Sequence, residues 1–485
     1  MAQRRTGSSQ PSESTSWSPP NNVSSQHASV TPKRLAPAPM QLVTLSLVMR
    51  ILSVTLLIAT SHLQQAFDTS HELLSYTLDP HTSHSLSAGS FNWTLAFVRW
   101  DTIYFLASAS PYHASSTGSV HQGGYAWEQT LAFQPGIIGL LRLTGYLTPT
   151  MDGSWSPTAA ILVTMLLANV AAAASVVLLY RLSLRVTRNA ELAYTAALLS
   201  IVAPSAGTTL ASPTPESFYS LASLVGLLYL ETNSIHGCGW GTVAITSFWF
   251  AVATAFRANG ALLVGYVAFK LIGEARCGRV ISAALKLAAS TAVCMSANVL
   301  FQVWAYGRFC LDEQTKRPWC ARCVPSVYTF VQSQYWDVGL FRYWHASQLP
   351  NFALGAPVLA LIAYTAYTFY CRSSWSKLAR SLIGSACNGD AGKTTRDTGL
   401  MLATTPRAVP YIVHGGVLGA MLLFASHVQI ALRLATPGGM PMLWWGAAHA
   451  VLYCKRSWLS RALVGYLCVQ YCVGIVLYAG FYPPA

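Results

Sequence analysis

From Met40 onward the chain is a succession of apolar runs, each close to the roughly 20 residues that a helix needs to cross the hydrocarbon of a bilayer. Nothing else in the sequence constrains the fold as tightly. Inside lipid no water is at hand for backbone N–H and C=O groups, so a run of this kind satisfies them within itself, as a helix. Eleven such runs are legible, at about 41–60, 157–180, 190–204, 217–231, 240–257, 259–274, 280–304, 351–371, 409–435, 438–454 and 462–481. Composition agrees, with 53% hydrophobic and only 9% charged residues, against about 25% charged in a soluble domain. Too few charges remain to coat a water-facing surface. We therefore expect an all-α polytopic membrane protein of about 11 transmembrane helices, with a single membrane-embedded domain over 40–485.

The net charge of +14 is not the footprint of a nucleic-acid partner, because the bases are scattered over short turns between apolar runs. Such scatter encodes topology. Arg181, Arg185 and Arg188, then Arg276 and Arg279, then Lys455, Arg456 and Arg461 mark cytosolic turns, as does the loop 372–407, which sets six bases against Asp390 and Asp397. Residues 1–39 are rich in Ser, Pro, Gln and Asn and carry Arg4, Arg5, Lys33 and Arg34 against the single acid Glu13; they read as a disordered basic cytosolic tail. The first apolar run starts too far in for a cleaved leader and reads as a signal anchor. Two long segments, about 61–156 and 305–350, then fall on the lumenal side. In the first, Asp68, Glu72, Asp79, Asp101, Glu128 and Asp152 outnumber Arg99 and Arg142, and Asn92-Trp93-Thr94 is a glycosylation sequon on that side.

These segments are not featureless connectors. Between Phe91 and Gly136 the chain gathers Arg99, Trp100, Asp101, Tyr104, His113, Tyr125, Trp127, Glu128 and Gln129. Aromatics with one apolar and one wet edge suit the membrane interface. The sequence contains no phosphate-binding glycine loop, no dinucleotide fingerprint and no serine elbow. No metal or other cofactor is expected. Cys320-x-x-Cys323 is half a zinc pattern, and in an oxidising lumen a disulfide involving Cys310, Cys320 or Cys323 is the preferred use. What remains is carboxylates for general base work and arginines for a phosphate leaving group. Asp101 is the candidate base, against the plain alternative of a structural ion pair. Arg99, Trp100, Tyr104, Tyr125, Glu128 and Gln129 are candidates for substrate binding around it, Glu128 doubling as a candidate structural acid. Arg257, beside apolar spans, either pairs internally or holds a phosphate. Arg342 and His345, three apart on one helical face, are a further phosphate grip, and His427 and Gln429 in an apolar run are candidate linings of a lipid cavity. Glu216 and Asp337 read as structural acids, and Arg50 as a snorkelling or internally paired base.

The motifs Arg99-Trp100-Asp101-Thr102-Ile103-Tyr104-Phe105, Gly124-Tyr125 with Glu128-Gln129 and Ala132-Phe133-Gln134-Pro135, Pro215-Glu216 with Ser217-Phe218-Tyr219-Ser220, Arg257-Ala258-Asn259-Gly260, Phe301-Gln302 with Tyr306, Phe309-Cys310 and Pro318-Trp319-Cys320, Gln334-Tyr335-Trp336-Asp337-Val338-Gly339, Pro350-Asn351-Phe352, and His427-Val428-Gln429-Ile430 with Arg433 run in order from about residue 91 to 445. Together they resemble the GPI mannosyltransferase 2 family. The N-terminal tail and the loop 372–407 carry no such signal.

The resemblance implies a type C glycosyltransferase-like bundle with large lumenal loops, in the endoplasmic-reticulum membrane with a lumenal active site. It implies transfer of the second mannose, in α-1,6 linkage, from dolichyl phosphate mannose to the glycosylphosphatidylinositol precursor. A β-linked donor and an α-linked product mean inversion at the anomeric carbon, hence a single in-line displacement with Asp101 as base. The partners are then the membrane lipid, the lipid-linked mannose donor and the GPI precursor, with a small accessory membrane subunit to be considered. Two alternatives compete. One is another dolichyl-phosphate-sugar transferase. The other, a transporter, would place ionisable residues mid-helix in two related halves, which this sequence does not display.

Overall fold

Each of the eleven apolar runs holds a helix in the computed structural model, which describes residues 39–67, 93–114, 120–122, 124–125, 128–147, 155–231, 238–311, 317–372, 406–454 and 457–482. The basic tail before Pro39, the sequon asparagine Asn92, Trp127 and nearly all of the loop 372–407 lie outside these residues. Five helices, Pro39–Leu63, Pro157–Thr187, Val280–Phe309, Ala346–Phe369 and Trp458–Ala479, are long and apolar enough to cross a membrane, and Trp240–Phe256 and Val409–Phe424 are apolar but shorter. The chain is a helical membrane protein.

Local chemistry sets the helix ends. Ser156 accepts a hydrogen bond from the Ala159 N–H at 3.3 Å, and Pro157 supplies the first helical residue of Pro157–Thr187. That helix ends at Arg188 in the left-handed conformation (φ 53°), and Asn189 caps the next, Ala190–Ser200, through its Oδ1 and the Leu192 N–H at 3.0 Å. The helix Pro215–Leu230 packs between Pro157–Thr187 and Trp240–Phe256. It contributes the fully buried Leu224 and Leu227 to the core, beside Phe250.

The structure departs from the sequence reading in four places. The run 190–204 leaves the helix after Ser200, and the following stretch, expected as a polar lumenal turn, is buried almost throughout as far as Thr214. Its carbonyls are satisfied by protein donors: Arg50 reaches Ala206 (2.6 Å) and Ile201 (3.2 Å), and Asn169 reaches Ala211 (3.1 Å). Irregular backbone survives in an apolar surround on that condition. The run 409–435 breaks after Phe424. The Leu423 and Phe424 carbonyls accept hydrogen bonds from the Trp344 indole (2.8 Å) and the Phe341 N–H (2.7 Å), a substitute for continuing the helix. Arg342 and His345 share no helical face, because the stretch after Gln334 is a series of turns, with positive φ at Asp337 and Phe341. Finally, the chain is not wholly α: Tyr112–Ala114 and Val120–Gln122 form a small antiparallel hairpin. Of the cysteine pairings left open, Cys310–Cys320 forms, and Cys323 is exposed and free.

One side chain ties the first long loop to the end of the chain. Arg99, buried at 6% exposure, donates to the carbonyls of Tyr478 (3.1 Å), Ala479 (3.0 Å), Val98 (3.0 Å) and Leu95 and to the Ser61 hydroxyl (3.0 Å), and its guanidinium lies 4.3 Å from the Phe481 ring centre. All five N–H donors of the fork are engaged. Carbonyls at the C-terminal end of the helix Ser457–Ala479 have no intrahelical partners, and Arg99 supplies them. Arg99→Lys keeps the charge but not the planar fork. We expect it to lower stability by about 1–3 kcal/mol for each carbonyl left without a donor, read as a lower unfolding midpoint of the detergent-solubilised protein.

Candidate active site

A cavity of about 500 Å³ opens where four chain features meet. These are the start of helix Asp101–Ala109, the first turn of Pro215–Leu230, the turn after Trp240–Phe256, and the break between Val409–Phe424 and Ile430–Leu434. Its polar lining includes Asp101, Arg257, Asn259, His427, Gln429 and Arg433. One helix face, Leu418, Met421 and Leu422, makes an aliphatic wall. A headgroup and an alkyl chain thus find different surroundings within one space.

Asp101 is the first residue of its helix, where backbone N–H groups favour a negative charge. The residue before it, Trp100, has φ 33°, a conformation that costs free energy for a bulky side chain. Packing holds it there: the Trp100 ring meets Tyr478 edge-on at 5.5 Å and Phe481 at 6.0 Å. The strained turn commits every Arg99 donor to protein acceptors while Asp101, two positions on, presents its carboxylate to the cavity. Asp101 remains 34% exposed there.

A chain of opposite charges runs from Asp101 into the protein. Arg433 Nη1 donates to Asp101 Oδ2 at 2.5 Å, and Arg433 Nε (2.8 Å) and Nη2 (2.7 Å) hold Glu216 Oε1. Arg257 Nη1 reaches the same Glu216 oxygen at 2.5 Å. Glu216 has no exposed side-chain surface, whereas Arg257 and Arg433 keep 17% and 21%. Two guanidinium groups and two carboxylates balance, which is what a low-dielectric site requires of its charges. Arg257 is steadied further by Asn259 Oδ1 (3.4 Å), whose amide donates to the Tyr219 hydroxyl (2.9 Å).

His427 and Gln429 enter from the broken run. His427 Nε2 lies 2.7 Å from the Trp336 carbonyl, which only accepts, so this nitrogen carries the proton; the ring stacks on Tyr343 at 4.7 Å. The Tyr343 hydroxyl donates to Gln429 Oε1 (2.6 Å) and accepts from Asn351 (2.7 Å). Burial raises the Tyr343 phenol above its ordinary pKa.

Six candidates from the sequence do not line the cavity. Tyr104 stacks on Phe133 at 6.3 Å, and Tyr125 is packed against Phe301 and Trp304, where burial pushes its phenol well above the ordinary range. Glu128 is buried at 7% exposure and accepts from the Trp319 indole (2.5 Å) and the Tyr335 hydroxyl (2.9 Å), joining the two long loops; that hydrogen bond and burial raise the Tyr335 pKa. Gln129, its neighbour, is half-buried. Arg342 is half exposed and pairs with the exposed Asp337 at 3.4 Å, a surface pair of small energetic weight, and His345 is exposed. Conversely, Arg433 and Glu216 stand at the centre of the site, although the sequence suggested no role for the first and a structural one for the second. The usable signal was their charge: a carboxylate and a guanidinium inside apolar runs need partners. Among the described residues no group of three or more His, Cys, Asp or Glu side chains is placed to hold a metal ion.

Apolar helices gathered around a cavity that joins a carboxylate and two arginines to an aliphatic wall define an integral-membrane enzyme suited to amphiphilic substrates. The comparisons give the family. The model described as "Mannosyltransferase (PIG-V)" matches residues 40–485, and the chain belongs to that mannosyltransferase family. It is 30% identical over 467 residues to "GPI mannosyltransferase 2" of Cryptococcus neoformans var. neoformans serotype D, covering 90% of this chain and 96% of that one. It is 30% identical over 451 residues to "GPI mannosyltransferase 2" of Aspergillus fumigatus, covering 86% and 88%. It is 29% identical over 395 residues to "GPI alpha-1,6-mannosyltransferase 2" of Cricetulus griseus, covering 72% of each. Among solved structures, the archaeal oligosaccharyltransferase AglB from Archaeoglobus fulgidus aligns with TM-score 0.40 and 11% identity, over 92% of this chain and 56% of that one.

Gly260 shows how closely the Arg257 turn is fitted. A Cβ at this position would lie 2.7 Å from the backbone nitrogen and Cα of Thr254. Backbone cannot swing aside as a side chain can. Gly260→Ala is expected to displace Arg257 and Asn259 and to reduce mannosyl transfer in microsomes by about 10–100-fold, the scale of an ångström-sized misplacement.

Proposed function

We propose that this protein transfers the second mannose of the glycosylphosphatidylinositol precursor, in α-1,6 linkage, from dolichyl phosphate mannose, on the lumenal side of the endoplasmic-reticulum membrane. The observation that carries this reading is the placement of Asp101 and Arg257 on one cavity with an aliphatic wall. Such a cavity suits a phosphate attached to a polyisoprenoid. Family membership and the names of the relatives support the acceptor class and the linkage. We also infer a type C bundle with about eleven membrane passages, supported by a helix in every apolar run.

In the reaction, the acceptor 6-hydroxyl oxygen attacks the anomeric carbon of mannose while the bond from that carbon to the phosphate oxygen breaks. The electron pair of that bond leaves with dolichyl phosphate, and the hydroxyl proton passes to Asp101. Attack and departure lie in line, so the configuration inverts. Arg257, whose side chain lines the cavity and is partly exposed, meets the charge on the departing phosphate. His427 and Gln429, held by Trp336 and Tyr343, present polar atoms for sugar hydroxyls. The step as written draws on no metal or cofactor. A small accessory subunit is compatible with the reading and is not required by it.

Two measurements test this. Asp101→Asn should lower turnover by about 10²–10⁴-fold, the usual contribution of a general base, with the protein still present in the membrane; near-normal turnover would remove Asp101 from the mechanism. Lipids of cells lacking the protein should accumulate a precursor with a single mannose, and a normal profile would overturn the assignment of the step.

A further inference from the structure

The charge network does more than neutralise itself. Arg433 makes three contacts with carboxylates, two to Glu216 and one to Asp101. A guanidinium has five N–H donors, so two remain, and 21% of the side chain is open to the cavity. Glu216 engages Nε and Nη2, which fixes the plane of the fork and leaves Nη1 as the atom shared with Asp101. Glu216 has no exposed side-chain surface, and Arg257 holds the same oxygen, Oε1, that Arg433 does. Glu216 is thus buried and held by two arginines, whereas Asp101 is 34% exposed and its carboxylate is held by Arg433.

We infer that Arg433 is passed from the base to the leaving group during the reaction, with Glu216 as the pivot that holds it for both. This deepens the proposed function and rests on it. The charge balance of the step motivates it. Before transfer, one negative charge sits on Asp101 and one on the phosphodiester of the donor. Afterwards Asp101 carries the proton and is neutral, and dolichyl phosphate bears both charges. Negative charge therefore leaves the partner of Arg433 as it builds on the phosphate. A cation that follows it stabilises the product side of the reaction more than the resting state, which is the condition for accelerating the chemical step. Arg433 is then a catalytic residue in contact with substrate, and Glu216 a positioning residue acting through it.

Asp101→Asn mimics the protonated base and releases Arg433 before any chemistry occurs. Binding of dolichyl phosphate to protein in nanodiscs, with uncharged dolichol as control, reads the consequence. The variant should bind dolichyl phosphate about 10-fold to 100-fold more tightly than the wild type, the scale of one freed charge-assisted hydrogen bond, with dolichol unchanged. The gain should vanish in Asp101→Asn/Arg433→Gln and shrink in Asp101→Asn/Glu216→Gln. Simple loss of repulsion from Asp101 would instead preserve the gain in the first double variant, and that result, or no gain at all, overturns the handover. If that variant does not fold, Asp101→Asn/Arg433→Lys serves in its place, where a single ammonium should retain part of the gain; full retention would count against a role for the fork. Turnover measured on the same Asp101→Asn preparation separates the two ideas. Loss of turnover with unchanged dolichyl phosphate affinity leaves Asp101 as base and removes only the handover, whereas retained turnover removes the base itself.

Discussion

The site depends on one buried carboxylate oxygen, Glu216 Oε1, that two arginines share. Charges in a poorly polarisable surround are tolerated when opposite charge and hydrogen bonds surround them, and removing one member leaves its partner uncompensated. Asp101, Arg433, Glu216 and Arg257 come from four separate stretches of chain. Each must arrive for the others to be stable there. The network is therefore at once a candidate site and a condition on how the helices pack.

The cavity exists because helices stop. After Phe256 the chain turns through a tight 3-10 segment, Ala258–Leu263, and after Phe424 it breaks before resuming at Ile430. Before Pro215 it runs irregularly but buried. Such interruptions expose backbone groups that lipid cannot satisfy, and protein donors repair two of them: Arg50 and Asn169 serve the stretch before Pro215, and the Phe341 and Trp344 N–H groups serve the break after Phe424. The interruptions also deliver the charged residues, because a side chain at a helix end projects into the space the helix vacates. Arg257, Glu216 and Arg433 all stand at or next to such ends.

The polar residues of the two long loops divide into framework and site. Arg99 and Glu128 are chemically as suggestive as Asp101, yet both are engaged with protein partners. Arg99 closes the end of the last helix and Glu128 joins the loops through Trp319 and Tyr335. Between them Asp101 is held by a strained turn at Trp100. Rigidity on both sides is what allows an exposed carboxylate to keep one position facing a cavity.

Hydropathy alone determined that this chain is a helical membrane protein and which eleven runs hold helices, though not where each helix ends, because the pairing of backbone groups inside lipid is a local requirement that each run meets or fails by itself. The ordered motifs determined the family, since they are a property of the string of residues. Tertiary structure decided the rest. That the run 409–435 breaks, that Arg342 and His345 sit on exposed turns, that Cys310 takes Cys320, and above all that Arg433 and Glu216 meet Asp101 are matters of which distant partner a group finds. Asp101 and Arg433 are 332 positions apart. Their attraction is set by distance in space, and no periodicity or spacing along the chain encodes that distance.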